Sequence, residues 1–332
     1  TVAREMTNRI QKVVGGDFSE LMVGNLHRFC SKFLFEQGRI PAVSAIIDDE
    51  EAVSIIADYR NEDEEGVTRD FNRYKGYQTI IFFQHFIYQL EHQHPWKYYL
   101  HPESFTDDDR EAVKHICASQ KIEYDEQAVV NIYHHAQEYM DEANAPGLDG
   151  KTADRIRVLL WKMYYANCYA QYKEENHLFD FEDLLLYTYD IYRSDPTCKR
   201  YPWIQVDEVQ DLNGMQLAII DLLTAEDNPM VMYLGDEQQA IFSFMGAKVE
   251  TLTLLKMRCK GNVHHLQRNH RSPKYLLDVF NDYAEKQLKI DRELLPLSDN
   301  DTKATSGDLR IIHSSTIEAE HKDITTEALS LY

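Results

Sequence analysis

Ile204-Gln205-Val206-Asp207-Glu208-Val209-Gln210-Asp211 is the stretch on which the fold turns. A short apolar run closes on two adjacent carboxylates, the pattern of a buried strand reaching its carboxyl end. In open parallel sheets, ligands gather beyond the carboxyl ends of the strands. An Asp there can hold Mg²⁺, usually through a water, and the next Glu can orient or deprotonate an attacking water. The plainer alternative is an ordinary strand end whose charges are solvated.

Toward the C-terminus the arrangement recurs. Met230–Leu234 reads as a second buried strand and runs into Leu234-Gly235-Asp236-Glu237-Gln238-Gln239-Ala240-Ile241-Phe242-Ser243-Phe244-Met245-Gly246-Ala247. This block offers a Gly that permits close backbone approach, several amides and carboxylates, and two aromatics. Amides can read a terminal phosphate without adding charge, and aromatics can stack on bases. A polar loop before a core-facing Phe pair is the alternative. Asn262–Leu266 reads as a third strand, followed by Leu266-Gln267-Arg268-Asn269-His270-Arg271-Ser272. An Arg placed there could reach across a cleft to a transferring phosphate, or be a surface Arg at a helix start. Ser272 as N-cap and Pro273 at the first helical position would open a helix through Tyr283. Met215–Leu223 has helical spacing and Leu309–Ile312 is a fourth strand candidate. Strands alternating with helices argue for an α/β fold with a mostly parallel sheet.

Toward the N-terminus the chain reads as helical. Val2, Met6 and Ile10 recur at helical spacing, and Leu21, Leu26, Phe29 and Phe33–Leu34 continue the pattern. Residues 48–66 carry nine carboxylates against one Arg, a solvated acidic surface around the short apolar stretch Ser54–Ala57. From about 70 to 172 the pattern stays helical, with turn signals at His94–Pro95, His101–Pro102 and Ala145–Gly150. Trp161, Tyr164, Tyr165, Cys168, Tyr169 and Tyr172 share one helical stripe. That stripe could stack bases, but its spacing is what core packing requires, and the packing reading is preferred. The histidine pairs His92/His94, His134/His135 and His264/His265 lack Cys partners or the i, i+4 spacing of a zinc site, so they read as surface histidines.

The 332 residues allow two or three domains, and 43% hydrophobic content is ample for packed cores. The formal charge of −21 argues against a sequence-blind nucleic-acid coat, although a narrow basic groove on an acidic body remains open. Five scattered cysteines without a CxxC pair point to a reducing compartment rather than a disulfide framework. No run of 18 apolar residues suggests a membrane span, and TVAREMTNRI has no signal-peptide pattern. It also starts without Met and mid-pattern, as a piece of a longer chain would.

Taken in order, the three blocks resemble the motifs of the UvrD/Rep-type superfamily 1 DNA helicases. The first is similar to that family's DExQD box, the second to its GDxxQSIYxFRGA block and the third to its LxxNYRS block. Phe179-Asp180-Phe181-Glu182-Asp183-Leu184-Leu185 resembles the FDFDDLL block that precedes the DExQD strand. Gly24-Asn25-Leu26-His27-Arg28-Phe29-Cys30 resembles GTxHSFC, and Ala3-Arg4-Glu5-Met6-Thr7-Asn8-Arg9-Ile10 the AxEMxxRI tail of the first DNA-contacting helix. The resemblance therefore runs from the first residues to about 283.

It implies a P-loop NTPase (RecA-like) parallel-sheet core, truncated, with a large helical insertion. Residues 1–40 and 175–258 would form the first motor domain, 41–174 the helical insertion, and 259–332 the start of the second motor domain. The activity implied is an ATP-dependent DNA helicase or translocase, of 3′-to-5′ polarity and cytoplasmic, in DNA repair, using ATP and Mg²⁺ on single-stranded DNA. By the same resemblance Asp207 would hold Mg²⁺, Glu208 would activate the attacking water, and Gln239 would sense the terminal phosphate. Arg271 would be the arginine finger, touching that same phosphate, and His270 would stack on the adenine where the family has Tyr. His27, Phe242 and Phe244 would lie on the DNA path. Ala240, Phe242 and Met245 stand where the family has Ser, Tyr and Arg. The family's G-x-x-x-x-G-K-[ST] loop does not occur in these residues and would lie upstream of residue 1, with the closing motifs beyond Tyr332. Without that loop's Lys and backbone cradle, this chain alone is expected to be inactive. Two other readings are a non-catalytic module whose acidic insertion docks a basic protein partner, and the motor part of a RecB-like helicase–nuclease.

Overall fold

Apolar spacing sets the helices at the N-terminal end. α1 (Val2–Val14) is followed by α2 (Leu26–Glu36), whose first turn is capped by the Asn25 carboxamide oxygen accepting from the Arg28 amide at 2.9 Å. The computed structural model describes residues 2–14, 21–48, 51–73, 76–95, 100–143, 150–236, 239, 249–289, 297–305 and 312–330. Contacts divide the chain into two compact units, Thr1–Arg258 and Cys259–Tyr332, each described by itself below.

In the first unit, β1 (Ala45–Ile46) leads into a run of helices: α3 (Glu51–Arg60), α4 (Glu64–Arg73), α5 (Gly76–Glu91), α6 (Asp107–Gln120), α7 (Glu126–His134), α8 (Ala136–Ala143) and α9 (Gly150–Asn176). The chain returns through β2 (Leu178–Phe179), which pairs in parallel with β1, so the helical run leaves and re-enters along adjacent strands. α9 is the axis of this run and packs against α3, α5, α6, α7 and α8. Its Ile156, Leu159, Leu160, Met163, Ala166 and Tyr169 are buried at helical spacing. The aromatic stripe of this helix is core: Tyr165, Cys168 and Tyr169 are buried and Trp161, Tyr164 and Tyr172 pack against them. α5 is apolar around nearly its whole circumference, as a helix enclosed by others must be. In α3 the run Ile55–Ala57 is buried while Glu51 and Asp58, and Glu62–Glu65 beyond it, are exposed, which is the acidic surface read from the sequence.

α10 (Phe181–Ser194), β3 (Trp203–Val206), α11 (Gly214–Leu223), β4 (Met230–Tyr233) and α12 (Val249–Arg258) complete this unit. Capping boxes start α6, α10 and α11, at Thr106/Asp109, Asp180/Asp183 and Asn213/Gln216. One core runs from Cys30 in α2 through the helical run to Met215 and Leu223 in α11. β3 and β4 are parallel, with Trp203 opposite Met230 and Val206 opposite Tyr233. They are not the fully buried strands expected. Trp203, Met230 and Met232 lie 59%, 54% and 42% exposed, and the alternate positions Ile204, Val206 and Tyr233 pack inward. Period-2 alternation here gives one covered face and one open face.

In the second unit β5 (Arg268–Asn269) pairs in parallel with β6 (Leu297–Ser298), between them lies α13 (Lys274–Tyr283), and α14 (Ile317–Ser330) follows. The third strand expected at Asn262–Leu266 is absent: these residues are exposed coil, Leu266 is 86% exposed, and pairing begins only at Arg268. The start of α13 also shifts by one residue. Pro273, whose ψ of 150° is not helical, is the N-cap; its ring carries no acceptor for a side-chain cap, and the Lys274 amide donates to the Asn300 carbonyl at 3.0 Å. Of the fourth strand candidate, residues 309–311 lie outside the described residues and Ile312 is coil. The described residues are thus mostly helical, with three parallel strand pairs. No helix among them is long and apolar enough to cross a membrane. All five cysteines are free thiols.

Candidate functional site

The end of β3 and the end of β4 are stitched together before either chain turns away. The Leu234 amide donates to the Val206 carbonyl at 2.8 Å, and the Val209 amide donates back to the Leu234 carbonyl at 3.0 Å. Between these bonds lie Asp207 and Glu208, both exposed. Glu208 adopts φ 53° and ψ 42°, left-handed for a residue with a Cβ, and caps the single 3₁₀ turn Val209–Asp211. The Glu208 amide donates to Asp207 Oδ1 at 3.0 Å. Below the turn, Val209 joins Leu252 and Leu255 of α12 in a small apolar cluster, with Val206, Leu212, Leu217 and Tyr233 packed against it. The two carboxylates therefore stand on an anchored turn.

Gln210 follows them and is only 2% exposed. Its Nε2 donates to Glu208 Oε2 at 2.6 Å, and its Oε1 accepts from the Asp236 amide at 3.0 Å. Gly235 makes room for this crossing: a Cβ at that position would stand 2.7 Å from Gln210 Oε1 and 2.7 Å from a Val209 methyl. Gln239 closes the group, with its Nε2 donating to Asp236 Oδ2 at 2.8 Å. Asp211 Oδ1 is buried without a hydrogen-bond partner among the described residues, and burial, then the Glu208 charge, raises its pKa. Asp207, Glu208 and Gln239 are thus brought into one group, with Gln210 and Asp236 as the members that sequence reasoning did not single out. Both stand inside the quoted blocks, but nothing in either block shows that they meet.

His27 lies on α2, half-buried, with its ring edge-on to Phe181 at 5.7 Å between centroids. Burial lowers its pKa, which keeps the neutral ring favoured. Phe242 and Phe244, together with Ala240 and Met245, lie outside the described residues. His270 and Arg271 belong to the second unit. There the Asn269 side-chain oxygen accepts from the Arg271 and Ser272 amides at 2.8 Å each, fixing the turn that carries Arg271. His270 Nδ1 lies 3.6 Å from Asp299 Oδ2, and both His270 and Arg271 are exposed.

A second polar group was not legible in the sequence. Lys173 at the end of α9 bonds Asp180 and lies 2.5 Å from Asp183 Oδ2, and His85 of α5 lies 3.3 Å from Asp180 Oδ1. All four side chains are buried. Burial disfavours the ionised form of Asp180, but the Lys173 ammonium and His85 outweigh it and hold its pKa far below the usual range. For His85, burial opposes the charge, yet Asp180 beside it raises the pKa on balance. His85, Asp180 and Asp183 have the mutual spacing of metal ligands. The Lys173 ammonium already sits on both carboxylates as their cation, so the group reads as an internal ion cluster. The histidines also need one correction: His94 is not on the surface but 1% exposed, its Nε2 2.8 Å from Asp190 Oδ1, because α5 and α10 close over it.

The family model for the UvrD/REP helicase N-terminal domain matches residues 1–260. The chain belongs to the UvrD/REP helicase family. Membership implies the P-loop NTPase fold, consistent with the parallel strand pairs, while the described residues are dominated by helices. Among curated relatives, the chain is 25% identical over 230 residues to the "Probable DNA helicase II homolog" of Mycoplasma capricolum, covering 65% of this chain and 31% of that one. It is 32% identical over 124 residues to the ATP-dependent DNA helicase srs2 of Schizosaccharomyces pombe, covering 37% and 13%. It is 33% identical over 131 residues to DNA helicase II of Escherichia coli, covering 38% and 18%. The chain thus spans about a third or less of the length of these relatives.

Proposed function

We propose that this chain carries the hydrolytic and sensing residues of an ATP-driven DNA helicase that moves 3′ to 5′ along single-stranded DNA. The observation that carries the reading is the locked turn after β3, which presents Asp207 and Glu208 and ties them through Gln210 to the Asp236–Gln239 loop after β4. Two adjacent, exposed carboxylates on a rigid turn are a hard-oxygen donor set, which fits Mg²⁺. Asp207 would hold the ion through water and Glu208 would orient and deprotonate the attacking water. Bound Mg²⁺ supplies charge neutralisation for the phosphates. Gln239 offers an uncharged donor to a terminal phosphate, and Arg271 a planar cation for the charge that develops there. His270 would stack on the base of the nucleotide. His27, Phe242 and Phe244 would face the single strand. Within this assignment residues 1–40 and 175–258 form the first motor domain, 41–174 the insertion and 259–332 the beginning of the second. The adjacency of β1 and β2 at the root of the helical run and the contact boundary at Arg258/Cys259 support that division.

The residues of this chain include no G-x-x-x-x-G-K-[ST] cradle, so we expect the isolated chain to show no DNA-stimulated ATP turnover. A coupled ATPase assay on it checks this directly. In the intact protein, Glu208→Gln should lower kcat by roughly 10²–10⁴-fold, the usual contribution of a positioned general base, while nucleotide binding persists. Turnover that survives the substitution removes Glu208 from the hydrolytic role.

A further inference from the structure

We infer that Gln210 is the positioning residue that sets the orientation of the Glu208 carboxylate and couples it to the Asp236–Gln239 loop. The inference rests on the hydrolytic reading of Glu208 given above and deepens it. Its basis is a question of which end of the Gln210 side chain faces which neighbour. The Asp236 backbone amide can only donate, so the carboxamide oxygen must face it, and they meet at 3.0 Å. The NH₂ end is then left for Glu208, where it lies 2.6 Å from Oε2. One backbone donor on the second strand's loop thereby determines that the first strand's carboxylate receives a donor rather than an acceptor.

Three features make this an arrangement rather than a chance contact. Gln210 is 2% exposed, so water does not substitute for either bond. Gly235 leaves the space the side chain crosses, with no tolerance for a Cβ. Glu208 holds a left-handed backbone, and the Gln210 bond acts on its carboxylate from two residues away. The relay continues from Asp236 to Gln239, whose Nε2 donates to Asp236 Oδ2 at 2.8 Å. A movement of Gln239 toward a phosphate would therefore pull on the same loop whose amide holds Gln210, and through Gln210 on Glu208. Among the described residues, the carboxylates around it are Asp207 before Glu208, Asp211 at the end of the turn, and Asp236 across Gln210. The Gln210 NH₂ supplies a donor in an otherwise acidic set.

The test uses steady-state ATP hydrolysis by the intact protein, with single-stranded DNA, from pH 6 to pH 8.5. Gln210→Glu is nearly isosteric: it keeps an oxygen for the Asp236 amide and replaces the donor to Glu208 by a second carboxylate. A misplaced group at a reacting centre costs on the order of 100-fold in rate, so kcat should fall by about that factor at pH 8. KM for ATP should stay unchanged, because the buried Gln210 acts through Glu208. The like charge of Glu208 raises the introduced carboxyl's pKa above its ordinary value of about 4.3. Once protonated it donates again, so kcat relative to wild type should recover as the pH falls toward 6. Gln210→Met fills the same space without a donor or acceptor and should be low and flat across the range. Thermal melting of each variant identifies loss of folding. A Gln210→Glu kcat within two-fold of wild type at pH 8, alongside an inactive Glu208→Gln, overturns the positioning role and leaves the hydrolytic reading standing. A Gln210→Met kcat within two-fold of wild type assigns Gln210 to packing alone and also overturns it. Full turnover in Glu208→Gln overturns the hydrolytic reading itself.

Discussion

Glu208 occupies a backbone conformation that costs a residue with a Cβ about 1–2 kcal/mol. Strain of this kind persists where the surroundings over-determine it, and at functional sites it commonly serves to aim a side chain. Here the bonds Leu234–Val206 and Val209–Leu234 hold both ends of the turn, and the apolar cluster with α12 holds it from below. Gly235 is the complementary feature. Its substitution by Ala would place a methyl 2.7 Å from both Gln210 Oε1 and Val209, one a buried hydrogen-bonded group and the other a packed core residue. Gly235→Ala is therefore expected to cost about 1–3 kcal/mol, the usual range for overpacking. Urea denaturation measures it, and an unchanged midpoint would show that the loop yields without cost. Of this group Asp207, Glu208 and Gln239 were legible residue by residue, because each stands in a short block beyond a strand candidate. The crossing by Gln210 was not, because its two partners follow different strands, and the Asp236 amide is 26 residues from Gln210 along the chain.

At the scale of elements, the join between the helical run and α10 holds an ion cluster within the shared apolar core. α9 contributes Lys173, α5 contributes His85 and Gln84, and the first turn of α10 contributes Asp180 and Asp183. Asp180 is also the N-cap of α10, so the same carboxylate stops the helix's free amides and receives the lysine. Desolvating such a group costs as much as its attractions return, which makes it poor evidence of net stability. Removing one partner is a different matter, because the others stay buried and uncompensated. Lys173→Met is expected to destabilise the first unit by ~3–5 kcal/mol, read from the shift of a chemical denaturation midpoint. A loss below 1 kcal/mol would mean that water or a proton replaces the ammonium at little cost. The helices themselves followed from spacing and caps. The strands followed less well: Asn262–Leu266 has strand-like composition but lies exposed, since a strand forms only where a partner runs beside it.

For the whole molecule, the cluster sets a pH window. Asp180 has its folded pKa depressed, so its contribution is present above the unfolded carboxylate value of about 3.9 and is lost as pH falls below it. His85 has its folded pKa raised, so its contribution is complete below the unfolded value of about 6.5 and is lost as pH climbs through the folded value. Asp183 offsets part of the acid limb, because burial and the Asp180 charge raise its pKa. With a formal charge of −21, self-repulsion adds to the decline on the alkaline side. The first unit should be most stable between about pH 4 and pH 6.5 and lose stability in both directions. Urea midpoints across pH 3–9 test this. His85→Gln should flatten the alkaline limb; a limb of unchanged slope would remove His85 from the account.

What the residues determine by themselves is the chemistry offered at each strand end, because a block such as Asp207-Glu208-Val209-Gln210 is contiguous and its order survives any packing. The helical run, its acidic surface and the aromatic core stripe of α9 are likewise local periodicities, which depend only on residues three and four apart. Tertiary structure alone decided which groups meet. Gln210 finds Asp236 because β3 and β4 lie side by side, and His85 meets the carboxylates that hold Lys173 because α5 packs against α9. It also decided that β3 has one open face and that His94 is buried, since burial belongs to whatever surface a neighbouring element covers. Those pairings couple residues distant along the chain, where only closure of the backbone specifies the partner.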